Sequence, residues 1–224
     1  MSNPNPPSID SSRSPAALHA RTIGDAWLEV SNLIMQHGVA GHYDGLDMRE
    51  VVMVTLCVAQ PRANDDIISH YADGGRIAWM HDNFIDRSVV EALGNADSYA
   101  TRLRDYAHSG RDQIKWVSQR LRDDPTTRSA TITTFQPLSD TSYIPCVSLL
   151  DFYLVDGRLE LAVYAHSIDF GAKGFANLVE LASLQEEVAD NVGAPLGTLT
   201  MIIKSAHIYD SDVEYMRGVL SSRQ

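Results

Sequence analysis

Apolar positions recur every three or four residues along "TIGDAWLEVSNLIMQHG" (22–38), where Ile23, Trp27, Val30 and Ile34 share one face. That spacing predicts a helix. Thr22 and Asp25 have capping-box spacing at its start, and Gly38 suits its stop. "VVMVTLCVA" (51–59) is instead a short β-branched apolar run ended by Pro61, which predicts a buried strand with Cys57 as a core residue. Residues 62–100 mix short helical patterns with Gly-Gly and Gly-Asn breaks. Helical spacing returns in "GRDQIKWVSQRLRDDP" (110–125), with Ile114, Val117 and Leu121 in one stripe and Pro125 as its bound. "RSATITTF" (128–135) predicts a strand.

"VSLLDFYLVDGRLELAVYAHS" is two apolar runs joined by Asp156-Gly157, a dipeptide made for a two-residue type I′ turn, and predicts a long hairpin. "GFANLVELASLQEEVADNVG" (174–193) predicts a helix that buries Phe175, Leu178, Leu181, Ala182 and Val188 and stops at Gly193. "GTLTMIIKSAHIY" (197–209) predicts another strand, and Ser211 and Glu214 have capping-box spacing at the head of a last helix. Helices and long strands mix without regular βαβ alternation and without an internal repeat, so the fold class is α+β.

Composition narrows the function classes. The chain has 224 residues, 44% of them hydrophobic, enough for one domain with a large core. The start, "MSNPNPPSIDSSRSPAA", is rich in Pro, Ser and Asn and reads as a disordered tail over 1–19 ahead of a single domain at 20–224. A net charge of −11 repels phosphate backbones, which argues against nucleic acid as a partner, and a small anionic ligand would need local cations. No apolar run approaches a membrane span, and the start lacks the pattern of a secretory leader. Two cysteines make no disulfide framework and have no metal-ligand spacing, so no metal is expected. Together these features lead us to expect a cytoplasmic protein with reduced thiols.

Cys146 follows Pro145 at the mouth of the apolar hairpin. Strand alternation projects His207 and Tyr209 together, and pairs Ser167 with Asp169 if the second hairpin strand continues that far. Asn177 falls on an early turn of its helix. These residue types describe a pocket with a candidate thiolate nucleophile and several hydrogen-bonding groups. They do not name a reaction.

"DDPTTRSATITTFQP", "PCVSLLDFYLVDGRLELAVYAHSIDFG", the Asn177 helix and "SAHIYDSD" resemble, in order and spacing, the thymidylate synthase and pyrimidine hydroxymethylase family, with a weaker match in "IAWMHDNF" (77–84). The resemblance implies a mixed β-sheet flanked by helices and a homodimer formed sheet to sheet. It implies that the Cys146 thiolate adds to C6 of a pyrimidine nucleotide, so that C5 attacks the one-carbon unit of 5,10-methylenetetrahydrofolate, the cosubstrate. Asn177 matches the residue that reads the base edge. His207 and Tyr209 match the residues that hold the sugar 3′-hydroxyl, and Ser167 and Arg128 match phosphate contacts. Asp169 matches a residue near nucleotide and folate, and Tyr99 matches a tyrosine involved in C5 proton removal.

Three departures stand out. His166 occupies the place of an arginine, Arg128-Ser129 replaces two successive arginines, and the first-loop arginine has only Arg49 nearby. The acid/base carboxylate has no clear counterpart, with Asp65 or Asp66 as candidates. Only a short stretch follows Tyr209 where the family carries a folate-covering tail. A site open to water leads us to expect 5-hydroxymethylation. The alternatives are methylation of dUMP by an ordinary thymidylate synthase, and a pyrimidine-binding homologue that is non-catalytic or independent of folate.

Overall fold

The computed structural model describes residues 16–86, 88–141 and 143–222. Its first half runs β1 (Ala16–Ala20), α1 (Ile23–His37), β2 (Val39–Tyr43), β3 (Leu46–Val58), α2 (Asp66–Tyr71), α3 (Gly74–Ile85), β4 (Val89–Val90), β5 (Ala96–Asp97), α4 (Tyr99–Arg104) and α5 (Gln113–Asp123). The second half runs β6 (Thr131–Thr133), β7 (Val147–Val155), β8 (Arg158–Ala165), β9 (Ile168–Asp169), α6 (Gly174–Val192), β10 (Leu196–Tyr209) and α7 (Val213–Ser221).

One eight-stranded mixed sheet organises these elements in the order β1-β3-β10-β8-β7-β6, with β2 added to β3 and β9 to β10. The expected hairpin is present: Asp156 and Gly157 take φ of 50° and 74°, the left-handed pair that a type I′ turn requires. β10 lies parallel to β8 and antiparallel to β3, so one strand stitches the two halves of the chain together.

The period-2 pattern decides which face is covered. Val54, Leu56, Leu161, Val163, Leu150, Phe152, Met201 and Ile203 point one way and are buried. They meet the apolar stripes of α1, α5 and α6, including Ile23, Trp27, Ile114, Leu121, Leu181 and Val188. On the same strands Leu149, Tyr164 and Ile202 point the other way and stay exposed. Their register places Tyr164 opposite both Leu149 and Ile202, so the three form one apolar row across three strands.

Five expectations need correction. Cys57, expected in the core, alternates with the buried Leu56 and Val58 and so points to the other face of the sheet, where it is only part-buried. Residues 16–19, assigned to a disordered tail, form most of β1, which pairs in parallel with β3; the rest of that tail lies outside the described residues. β3 begins at Leu46 rather than Val51, because "YDGL" carries a second Asp-Gly turn (φ 53° and 77°) that folds β2 back onto its polar first half. The strand expected over 128–135 shrinks to Thr131–Thr133: the partner strand shifts register between Val147 and Leu149, and Thr133 and Thr134 satisfy the β7 carbonyls with side-chain hydroxyls. Ser211 does not cap α7; its hydroxyl donates to Asp212, and a short 3₁₀ turn over Asp210–Asp212 leads into the helix.

Candidate active site

Cys146 sits immediately before β7, where the chain enters the sheet. Its carbonyl accepts from His166 N–H at 3.0 Å, which fixes it to the end of β8. The next amide, Val147 N–H, donates to the Tyr99 hydroxyl at 3.0 Å. Tyr99 is buried at the start of α4, stacks on Phe84 with centroids 4.3 Å apart, and donates its own N–H to Asn83 Oδ1. The loop before Cys146 is held from below by Arg102, whose guanidinium grips Asp140 through two bonds of 2.8 and 2.7 Å and also donates to Thr134 O. Both members of that pair are buried, and the matched fork geometry offsets their desolvation.

The second wall is the turn from β9 into α6. Asp169 Oδ1 accepts from Gly171 and Ala172 N–H, and Asp169 O accepts from Lys173 N–H at 3.0 Å. Trp27 donates from Nε1 to Phe170 O at 3.0 Å and packs edge-on against Phe175, so α1 holds this turn from behind. Gly171 is required here: a Cβ would stand 2.8 Å from Asp212 Cβ. Asn177, one turn into α6 and buried, donates from Nδ2 to Lys173 O at 3.0 Å.

The third wall is the end of β10. His207 pairs in register with Asp169 on one side and Glu50 on the other. Its ring lies 5.0 Å from that of Tyr209, edge to face. Ser205, on the same face of the strand, contacts both Glu50 and His207. His166 Nδ1 lies 3.4 Å from Ser148 Oγ. Ser167 falls in the link between β8 and β9, half-buried.

The electrostatics link the walls. Burial is the main cause that holds the Cys146 thiol above its usual value; the Lys173 ammonium opposes it and the Asp169 carboxylate adds to it. Asp169 itself is pushed up from 3.8 to about 6, chiefly by burial and then by Asp212, against its two backbone donors and Lys173. Tyr99 lies well above 10 because it is buried and faces Cys146, so it is a neutral hydroxyl near pH 7 rather than a tyrosinate. His166 and His207 are both lowered, first by burial, and are neutral imidazoles near pH 7.

Cys146, Asp169, Asn177, His207, Tyr209 and Tyr99 therefore belong to one constellation, with His166 at its edge. Arg128 does not join it within the chain. It precedes Ala130, whose carbonyl accepts from Phe152 N–H at 3.1 Å, and so lies at the far end of β7, roughly 20 Å of strand from Cys146. Asp65 is occupied elsewhere, since its carboxylate caps α2 through Ile67 and Ile68 N–H and ties in Gly24 N–H at 3.1 Å. Asp66 is exposed on the first turn of α2. Arg49 stands on β3 opposite Ile208.

Sequence reasoning missed Lys173, Glu50, Ser205 and Trp79. Lys173 is a cation whose charge acts on both Cys146 and Asp169, and its ammonium lies 5.7 Å from the Trp79 ring centroid. A lysine four residues before Asn177, in the link that follows Asp169, was the available signal. Among the described residues no cluster of three or more His, Cys, Asp or Glu is arranged to hold a metal, and no helix is long and apolar enough to cross a membrane. A half-buried thiol beside an ammonium, a carboxyl that titrates near 6 and a buried amide suits reversible nucleophilic addition to a polar ring.

Comparison with known proteins gives the same direction. The family model described as thymidylate synthase matches residues 62–224. A Methanosarcina barkeri protein described as "Putative thymidylate synthase" is 35% identical over 211 residues, covering 91% of this chain and 94% of the relative. A Methanococcoides burtonii protein of the same description is 34% identical over 216 residues, covering 92% and 95%. The deoxyuridylate hydroxymethyltransferase of Bacillus phage SP01 is 33% identical over 129 residues, which cover 51% of this chain and 33% of that protein.

Proposed function

The chain belongs to the thymidylate synthase family, and from that premise we propose that it transfers a one-carbon unit from methylenetetrahydrofolate to C5 of a pyrimidine nucleotide. The observation that carries this is a half-buried Cys146 thiol that feels both the Lys173 ammonium and the Asp169 carboxylate. The Cys146 thiolate forms a bond to C6, and the electron pair of the C5–C6 double bond moves onto the C4 substituent. Lys173 favours the thiolate, and the Asn177 amide reads the N3/C4 edge and stabilises the charge that gathers there. C5 then attacks the methylene carbon. The C5 proton leaves to a base, with the Tyr99 hydroxyl orienting water rather than ionising itself. As that proton leaves, the bond between the methylene carbon and the folate nitrogen breaks, its electron pair departs with tetrahydrofolate, and an exocyclic methylene remains at C5. Water adds to that methylene, giving up a proton, while the C5–C6 double bond re-forms and expels the thiolate from C6, which restores Cys146. An aromatic ring beside an ammonium, Trp79 with Lys173, suits a folate, which is flat at one end and anionic at the other.

For the product we propose 5-hydroxymethyl. Lys173 is exposed although it acts on the thiol, which leaves water a route to the methylene carbon. A second reading, methylation with release of dihydrofolate, is favoured by the near full-length similarity to the methanogen proteins. The working unit is proposed to be a homodimer through the bare sheet face, where Leu149, Tyr164 and Ile202 are exposed. In that arrangement Arg128 would serve the partner's site. No nucleic acid or membrane partner is proposed, and the location is proposed to be the cytoplasm.

The test is tritium release from C5-labelled UMP, dUMP, CMP and dCMP, with and without methylenetetrahydrofolate, followed by product mass. Cys146→Ser is expected to remain folded and to release no tritium. Full release by that variant would refute the assignment.

A further inference from the structure

The hydrogen bonds on β10 decide which nitrogen of His207 carries its proton. Ser205 Oγ has two partners: a Glu50 carboxylate oxygen on β3, and His207 Nδ1 at 3.4 Å. A carboxylate oxygen only accepts, so the single hydroxyl proton of Ser205 is committed to Glu50. Toward His207 the serine then has only a lone pair to offer, and Nδ1 must be the donor. A neutral imidazole has one N–H, which leaves Nε2 as a bare acceptor.

We propose that Glu50, acting through Ser205, locks His207 in the Nδ1–H tautomer and so makes Nε2 an acceptor reserved for a ligand hydroxyl. The proposal rests on the reading above that His207 lies against the nucleotide sugar. Glu50 and Ser205 are positioning residues in it.

Several features support the lock. Glu50 is the direct register partner of His207 across β3 and β10, and Ser205 shares a strand face with His207. Ser205 and His207 are 9% and 4% exposed, so water competes little for these bonds. Tyr209 packs edge-on at 5.0 Å and fixes the ring plane. Burial, with Lys173, holds the imidazole below its usual value, although the Glu50 charge and the Ser205 main chain pull the other way. The lock has a consequence for specificity. An acceptor at Nε2 rewards a sugar hydroxyl and rejects a phosphate ester in its place, because a phosphate there offers only acceptors. The ligand is then a nucleotide with a free 3′-hydroxyl, not a residue inside a polynucleotide.

Two measurements test this on the full chain. Long-range ¹H–¹⁵N spectra of histidine-labelled protein at neutral pH should show the His207 proton on Nδ1. It should move toward Nε2 in Ser205→Ala and Glu50→Ala and stay in Glu50→Gln, whose amide oxygen still accepts from the serine. Binding of dUMP and dCMP is compared with that of their 3′-O-methyl counterparts, whose ether oxygen only accepts. The parent protein should prefer the 3′-hydroxyl, the donor, by about threefold to tenfold, the worth of one neutral hydrogen bond. In Ser205→Ala and Glu50→Ala an Nε2–H can donate to either oxygen, so that preference should shrink. A proton on Nε2 in the parent protein overturns the proposal, as does an undiminished preference in Ser205→Ala. If neither ligand pair binds while the proton sits on Nδ1, the lock stands and the pyrimidine-nucleotide reading falls.

Discussion

Asp169 is a carboxylate that the fold holds at a cost, and Asp169→Asn makes that cost measurable. Its folded value near 6 exceeds its ordinary 3.8, so the native state binds a proton more tightly than the unfolded chain. The sign follows: its contribution is most favourable below pH 4 and is lost as pH rises through 6. The shift of about two units corresponds to about 3 kcal/mol between the extremes. Between pH 7 and pH 5 the same two values give a gain of about 1.3 kcal/mol on acidification. An asparagine keeps an oxygen to accept from Gly171 and Ala172 N–H but cannot ionise. At pH 7 Asp169→Asn should therefore be the more stable protein, by up to about 3 kcal/mol, while tritium release falls. The assay is urea denaturation at half-unit steps from pH 5 to 7.5. Other titrating groups cancel in the difference between the two proteins, so that difference should shrink by about 1.3 kcal/mol from pH 7 to pH 5. Parallel pH profiles would refute the reasoning.

Tyr99→Phe strands the buried Val147 N–H without its acceptor and should cost about 1–3 kcal/mol, read by denaturant midpoint; an unchanged midpoint would mean that water takes the place of the hydroxyl. Lys173→Met removes the ammonium that favours the thiolate, so the pH profile of tritium release should move to higher pH, and an unmoved profile would deny Lys173 any role in ionising Cys146. Ile202→Glu places a charge in the centre of the bare sheet face and should give a folded monomer by light scattering; a dimer that persists would locate the interface elsewhere.

The sequence displayed some parts of this architecture more openly than others, for physical reasons. Elements that bury one face announced themselves by period: α1 with Ile23 and Trp27, the β7–β8 hairpin, α6 and β10. Elements stabilised by pairing alone did not. β2 and the first half of β3 are mostly exposed, so no apolar pattern marks them, and the Asp44-Gly45 turn was the single cue. At the site, Cys146, Asp169, Asn177, His207 and Tyr209 were legible because resemblance fixes them by spacing. Glu50 and Lys173 were not, because their importance comes from register and from charge: Glu50 reaches His207 only once β3 pairs with β10. Arg128 lies just ahead of β6, and the chain alone cannot bring it to the thiol.

The seam between β3 and β10 joins residues far apart in sequence, and Ser205 meets Glu50 across 155 positions. Such contacts carry a large loop-closure cost and consolidate late. The hairpin that presents the thiol is local and can form early, whereas His207 acquires its partners only when the last long strand docks. During synthesis the Cys146 loop and its hairpin are thus made well before the strand that carries His207 and Tyr209. A nascent chain that stalled before Leu196 would hold the cysteine without the strand that completes the proposed site.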